Sequence, residues 1–358
     1  MKSTIAVAMS GGIDSLMAAY LLKKQGYPVF GIHFLTGYES GWRQMPPNRQ
    51  AAGNRIGPVA EQIGIELRLI DIAKDFQAEV VDYFTHAYRN GRTPNPCLRC
   101  NPRIKFGTVL AHARSLGADC LATGHYARVR TDAAGMHHLH RGIDSTKDQS
   151  YFLGFMTQKQ LAHARFPLGG LTKQAVRRLA EEKGLKPANE RESQDICFIR
   201  RGSYGEFMAA QAGFHARPGI IEDIHGNRLG EHPGLHLFTV GQRRGINCPA
   251  AEPYYVVRLD GCANRLIVGG ADSLKRAGCR VRDVNWITGT PEAPFSAQVR
   301  LRYRHQPVAA TVAPLADGGA YIRFEDPQKA VTPGQGAVFY RGDEVLGGGW
   351  ICAQEEEG

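Results

Sequence analysis

At 358 residues the chain exceeds the size of one hydrophobic core, so two or three domains are expected, and eight cysteines spread over that length argue against a disulfide framework. Lys and Arg total 44 against 34 Asp and Glu, a formal charge of +10 that favours a polyanionic partner, nucleic acid first. Met1-Lys2-Ser3-Thr4 runs straight into an apolar strand with no signal core, and no apolar run reaches membrane-spanning length, which predicts a cytoplasmic protein with no membrane partner.

The first predicted strand, 5–9, leads into Ser10-Gly11-Gly12-Ile13-Asp14-Ser15 and then a helical stretch, 16–24. Strand, glycine turn and helix start together present backbone N–H groups, hydroxyls and a helix N-terminus to one anionic group, so a nucleotide phosphate is the expected ligand. The string lacks the Gly-Lys-Ser/Thr ending of a Walker loop and the Gly-x-Gly-x-x-Gly of a dinucleotide fold. It resembles the PP-loop of ATP pyrophosphatases, which split ATP into AMP and pyrophosphate to activate an oxygen for displacement. Further strands are expected at 29–34, 66–72 and 120–123. Between the last two, Phe76, Val80, Phe84 and Tyr88 recur every four residues in a predicted helix over 75–88 that Asn90-Gly91 stops. This alternation predicts an α/β domain on a parallel sheet, with ligands beyond the carboxyl ends of the strands, where 10–15, 34–41 and Gly124-His125 fall.

Thr93-Pro94-Asn95-Pro96-Cys97-Leu98-Arg99-Cys100-Asn101 is stiffened by two prolines and presents a thiol pair. Arg99, Arg103 and Lys105 are close enough in sequence to favour the thiolate, while redox, metal and accidental readings of the pair stay open. A structural zinc site is disfavoured because no second such pair exists. Lys173 to Lys183 reads as a helix ending at Gly184. A polar loop, 189–196, then carries Cys197 into an apolar run, where a buried structural cysteine is the alternative to a reactive one. From about 235 onward short β-rich runs (254–259, 266–268, 298–304, 320–324, 337–340) separated by Gly and Pro predict a small antiparallel barrel. Arg300, Arg302 and Arg304 alternate along one of these strands, which places all three on one face as a phosphate-tracking surface or a solvated edge. Gln242-Arg243-Arg244 forms a second basic cluster, and a short acidic tail closes the chain.

Several strings coincide in order: 10–15, 93–101 with Ile104-Lys105-Phe106, Ala122-Thr123-Gly124-His125-Tyr126, Lys147-Asp148-Gln149-Ser150-Tyr151-Phe152-Leu153, 239–245 and Pro333-Gly334-Gln335. Together they resemble the bacterial tRNA-specific 2-thiouridylase family over nearly the whole chain. The resemblance implies a PP-loop (adenine nucleotide alpha hydrolase-like) catalytic domain over 1–204, with 163–192 packing on the central domain. It further implies a small central tRNA-binding domain over 205–272 and a C-terminal antiparallel β-barrel over 273–358. It implies ATP-dependent transfer of sulfur to C2 of the wobble uridine in tRNAs for Lys, Glu and Gln, with a persulfide supplied by a sulfur-relay or cysteine desulfurase donor. Ala8, Met9, Ser10, Gly11, Gly12, Ile13, Asp14, Ser15, Phe34 and Gly124 would contact ATP, with Asp14 orienting a magnesium ion. Cys197 would carry the persulfide, and Cys100 would release the sulfur by forming a disulfide with it. Asn95, Pro96 and Cys97 would meet the target base, His125 would lie beside it, and Lys147, Asp148, Gln149, Arg302, Tyr303 and Gln335 would contact tRNA. Many relatives carry Asp where this chain has Cys97, so no general base is assigned. The stretch 35–54 lacks the acidic and cysteine-containing pattern common there and is also left unassigned. Three other readings stand beside this one: an iron–sulfur cluster held by Cys97, Cys100 and Cys197, a PP-loop ligase that adenylates a small acid, and a non-catalytic tRNA-binding protein with a vestigial nucleotide site.

Overall fold

The computed structural model describes residues 2–188, 196–199, 202–211, 213–249 and 251–353. The polar residues 189–195 before Cys197 and the acidic tail lie outside the described residues. Strands β1 (Ile5–Ala8), β2 (Val29–Leu35), β3 (Leu67–Asp71) and β4 (Cys120–Ala122) alternate with helices, as their apolar runs demand. A hairpin, β5 (Ala127–Thr131) and β6 (His137–Arg141), follows, then the short β7 (Ala164–Arg165). The sheet order is β3-β2-β1-β4-β7, and every pair is parallel. Helices α1 (Ile13–Lys24) and α2 (Arg49–Glu61) cover one face of the sheet with Leu16, Met17, Ile56 and Val59.

On the other face, the helix expected over 75–88 is three segments: α3 (Ala73–Phe76), a π-helical turn at Gln77–Val81, and α4 (Asp82–Arg89). Strict four-residue spacing drifts by about 40° per repeat on an α-helix of 3.6 residues per turn. The wider π turn offsets that drift, so Phe76, Val80, Phe84 and Tyr88 all enter one core. Next, α5 (Pro96–Cys100) runs through a π-helical stretch, Asn101–Val109, into α6 (Leu110–Ser115). Helices α7 (Gln158–Ala162) and α8 (Lys173–Glu182) complete this unit, and Gly184 ends the last of them at φ +64°. The segment expected against the central domain packs here instead: Leu168, Val176 and Ala180 share a core with Leu16 and Met17, because the apolar stripe of α8 faces α1.

Helix α9 (Tyr204–Ala209) is followed by a separate four-stranded sheet of β8 (Gly219–Asp223), β9 (Arg228–His232), β10 (Tyr255–Asp260) and β11 (Arg265–Gly269), in the order β10-β11-β8-β9. The last unit contains β12 (Lys275–Trp286), β13 (Phe295–Arg300), β14 (Val308–Pro314), β15 (Ala320–Lys329), β16 (Gly336–Arg341) and β17 (Glu344–Ile351). Pairing of β12 with β17 closes these six strands into an antiparallel barrel around Val281, Val299, Val312, Ile322 and Phe339. The hairpin β5–β6 leaves the parallel sheet and joins this barrel instead, with Leu139 and His140 paired to Val345 and Glu344 of β17.

The strand expected over 298–304 stops at Arg300. A turn over 301–305 follows, closed by the His305 N–H donating to the Arg302 carbonyl at 3.0 Å. Arg300 folds back on that turn, donating to the carbonyls of His305 and Tyr303 and, at 3.1 Å, to Asp148. The three arginines therefore share no face: Arg302 and Arg304 are exposed in the turn, and Arg300 is drawn inside. Asp148 also accepts from the N–H groups of Gly142 and Ser150 and from the Ser150 hydroxyl, which ties the first domain to the barrel. Asp148→Ala leaves Arg300 without its charge partner and is expected to cost about 3–5 kcal/mol. Trp286 and Trp350 lie in the barrel, so a lower urea midpoint by tryptophan fluorescence checks this, and an unchanged midpoint refutes it.

Candidate functional site

The PP-loop lies at the carboxyl end of β1, where Met9 N–H donates to Ile32 in β2 and His33 bonds the Met9 carbonyl. Ser15 Oγ accepts from Ser10 N–H and donates to the Gly12 carbonyl at 3.0 Å, with Ser10 Oγ 3.2 Å away, so the two hydroxyls brace the turn. Gly11 adopts φ +84°, and a Cβ there would sit 2.7 Å from Ile56, so only glycine fits. Gly12 offers α1 no side-chain cap, which leaves the first-turn N–H groups to a ligand. Gly124 abuts this turn so closely that a Cβ would lie 2.8 Å from Asp14. Ala8, Met9, Ile13 and the half-buried Phe34 complete the same strand edge. This cradle fits the phosphates of ATP.

Asp14 departs from the expected metal role. Both its oxygens accept from Lys173 Nζ at 2.7 Å, and Oδ1 also accepts from the Tyr126 hydroxyl at 2.8 Å. The carboxylate is spent on a buried lysine, and among the described residues no group of three His, Cys, Asp or Glu side chains is arranged to hold a metal ion. The residues present therefore do not fit magnesium held by Asp14. Lys173 and Tyr126 were missed as site residues. One signal was available: Lys173 opens a helix, where a cation opposes the helix dipole unless a carboxylate holds it.

The thiols come together. Asn95 accepts from Leu98 N–H and caps α5, whose first turn starts at Pro96 and carries Cys97 and Cys100, both half-buried. Cys197 is exposed, and the next residue, Phe198, is anchored among Phe76, Phe84 and Phe207 at ring distances of 5.2 to 5.7 Å. Tyr38, from the unassigned stretch 35–54, packs on the same aromatic cluster, so that stretch braces Phe198 beside Cys197. Burial pushes the Cys97 thiol up to about 11, helped by Cys197 and opposed by Lys105. Burial likewise pushes Cys100 up to about 12, with Lys105 opposing and Cys197 and Cys97 adding to the rise. His125 is buried beside them. Its Nε2 lies 3.3 Å from Lys105 Nζ and its Nδ1 2.6 Å from Thr123 Oγ1, and burial, with the Lys105 charge, drives its pKa well below the usual imidazole value.

The chain matches known proteins along nearly its whole length. The profile of the tRNA methyl transferase HUP domain matches residues 3–201, that of the tRNA methyl transferase PRC-barrel domain residues 206–270, and that of the aminomethyltransferase beta-barrel domain residues 276–351. The chain is 51% identical to the tRNA-specific 2-thiouridylase MnmA of Desulfosudis oleivorans, over 98% of this chain and 95% of that protein. Its identity is 46% to the protein of the same name from Geobacter metallireducens, over 100% and 99% of the two chains, and 46% to that from Magnetococcus marinus, over 97% and 98%. The chain belongs to the tRNA-specific 2-thiouridylase family.

The remaining residues expected from the thiouridylase resemblance fall into two groups. Arg302 is exposed and Lys147 half-exposed, and Tyr303 stacks on Phe152 at 4.3 Å beside them. Asp148, Gln149 and Gln335 are engaged internally. Asp148 is 5% exposed and holds Arg300. Gln149 accepts from Tyr126 N–H, and Gln335 donates to the carbonyls of Thr93 and Pro94. These bonds fix the three side chains at the surface around the thiols.

His125 must gain a proton on unfolding in acid. Its folded pKa is depressed, so between that value and about 6.5 the unfolded chain binds more protons and stability rises with pH. Stability is therefore expected to fall as the pH drops below about 6.5. His125→Gln should flatten that slope in urea titrations from pH 7 to 5, and an unaltered slope would contradict the assignment.

Proposed function

We propose that this protein transfers sulfur to C2 of the wobble uridine in tRNAs for Lys, Glu and Gln, consuming ATP and releasing AMP and pyrophosphate. The observation that carries this reading is the meeting of Cys97, Cys100 and Cys197 with the 123–125 turn, which itself abuts the PP-loop. A C2 oxygen is a poor leaving group. It attacks the α-phosphate of ATP held against the N–H groups of 10–15, and pyrophosphate departs. The terminal sulfur of a persulfide on Cys197 then attacks C2 and AMP leaves with the oxygen. Cys100 thiolate attacks Cys197 Sγ, the S–S bond to the substrate sulfur breaks, and 2-thiouridine is released with a Cys100–Cys197 disulfide that an external thiol reductant reopens. The target base leaves the anticodon stack to reach this point, with Asn95, Pro96 and Cys97 beside it and Lys147, Arg302 and Tyr303 along the RNA.

The same three thiols are what an iron–sulfur reading would use. A colourless protein that is fully active after anaerobic purification would dismiss that reading and leave the persulfide route. A ligase acting on a small acid would have no use for the thiol cluster.

The deciding experiment is anaerobic incubation with ATP, magnesium, a persulfide donor, a thiol reductant and unmodified glutamate tRNA, followed by mass spectrometry of the wobble nucleoside. Formation of 2-thiouridine that requires ATP is expected, and tight tRNA binding without product would overturn the reading. With a persulfide donor, Cys100→Ser and Cys197→Ser should each abolish product while tRNA Kd stays within about twofold, since neither removes a phosphate contact. Arg302→Ala should weaken binding and reduce the log–log salt slope by about 1. Equal loss of tRNA affinity in all three variants would contradict this division of roles.

A further inference from the structure

Three cations flank the thiol pair in sequence, and the fold separates them. Arg99 is taken by Glu79, donating to its carboxylate at 2.8 Å and its carbonyl at 2.7 Å, and it lies over the Tyr83 ring. Arg103 is exposed. Lys105 alone turns toward the site, and the π-helical stretch Asn101–Val109 explains why. On an α-helix, residues five apart diverge around the axis. Bonding from i to i+5 widens the turn and brings Lys105 back toward the face of Cys100.

Hydrogen-bond bookkeeping then fixes the neighbouring imidazole. An ammonium group has three donors and no acceptor, so Lys105 Nζ donates and His125 Nε2 accepts. The proton of the neutral ring is therefore on Nδ1, which donates to Thr123 Oγ1. Both ring nitrogens are occupied, and the edge of the ring meets Phe166. No carboxylate among the described residues pairs with Lys105.

We propose that Lys105 is the cation of the sulfur site, stabilising the anionic sulfur of Cys100, and that His125 and Thr123 are positioning residues which aim its ammonium there. His125 thus acts through Lys105 instead of through the base. The functional meaning rests on the sulfur-transfer reading above, but the geometry is testable without RNA or ATP. The titratable groups facing Cys100 among the described residues are Lys105, Cys197 and Cys97, and Lys105 is the only one of them that favours the thiolate.

The test is alkylation of the full chain by iodoacetamide under reducing conditions from pH 7 to 9, in which Cys100 thiolate displaces iodide. Site-resolved mass spectrometry follows each cysteine, with the exposed Cys262 of the central sheet as internal reference. Lys105→Met should slow Cys100 alkylation roughly tenfold relative to Cys262 and move its pH profile upward by about one unit. Lys105→Arg should stay within about threefold of the parent rate. A Lys105→Met protein that alkylates Cys100 at the parent rate and pH profile overturns the proposal. Nitrogen-15 NMR of the unmutated protein supplies a measurement independent of folding in the variant: His125 should show a protonated Nδ1 and a bare Nε2, and a proton on Nε2 overturns the positioning assignment. Absence of RNA thiolation by the unmutated protein, with the expected slowing of Cys100 alkylation in Lys105→Met, would count against the sulfur-transfer reading alone.

Discussion

The backbone at Thr93 and Pro94 is the point on which the rest of the site depends. With prolines at 94 and 96, this segment lacks two N–H donors, and its carbonyls must be met from elsewhere. The barrel meets them: Gln335 Nε2 donates to the Thr93 carbonyl at 2.9 Å and the Pro94 carbonyl at 3.3 Å, while Thr93 N–H donates to Pro333. Gly334, at φ +88°, permits the approach, since a Cβ there would lie 3.0 Å from the Thr93 carbonyl. The central unit touches the same point through Thr239, whose hydroxyl is 3.5 Å from that of Thr93. Three structural units thus converge on the residues that launch α5, and the direction of its two thiols is a property of the whole chain.

Buried charge follows one rule throughout the site. Asp14 is matched by Lys173 and Asp148 by Arg300, each with added hydroxyl or N–H donors. Such pairs add little net stability, but they leave one arrangement satisfied and the alternatives costly. The thiols are treated differently. Burial holds Cys97 and Cys100 protonated at neutral pH, which makes them poor nucleophiles and poor targets for oxidants at rest.

Much of this was legible in the sequence, and the failures have physical causes. The parallel sheet, the PP-loop and the thiol loop are local signals, carried by apolar runs, glycines and prolines that act within a few residues. The arginine face at 300–304 failed because alternation cannot distinguish a continuing strand from a turn whose carbonyls capture Arg300. The partnership of Asp14 with Lys173 spans 159 residues, and no spacing rule reaches so far. The four-residue rhythm of Phe76, Val80, Phe84 and Tyr88 was visible as a helix, although its mismatch to 3.6 residues per turn already pointed to a wider winding. The 163–192 segment was set against the central domain on the resemblance alone, whereas Leu168, Val176 and Ala180 pack on α1; an amphipathic stripe shows that a helix packs, without saying against what.

The hairpin β5–β6 has a consequence for synthesis on the ribosome. Its partner strand β17 lies 203 residues downstream at the His140–Asp343 contact. At ordinary translation speeds the finished hairpin waits roughly 10–40 s for that strand to emerge. Through that interval β6 is an open edge, the kind of surface to which a neighbouring nascent chain adds itself. Arg128 and Arg130 on one strand and His137, His138, His140 and Arg141 on the other line the waiting hairpin with cationic and titratable side chains. Arg128, His138 and His140 later take Asp343 and Glu344 as partners, so groups that close the native junction first serve as electrostatic chaperones of the unfinished chain.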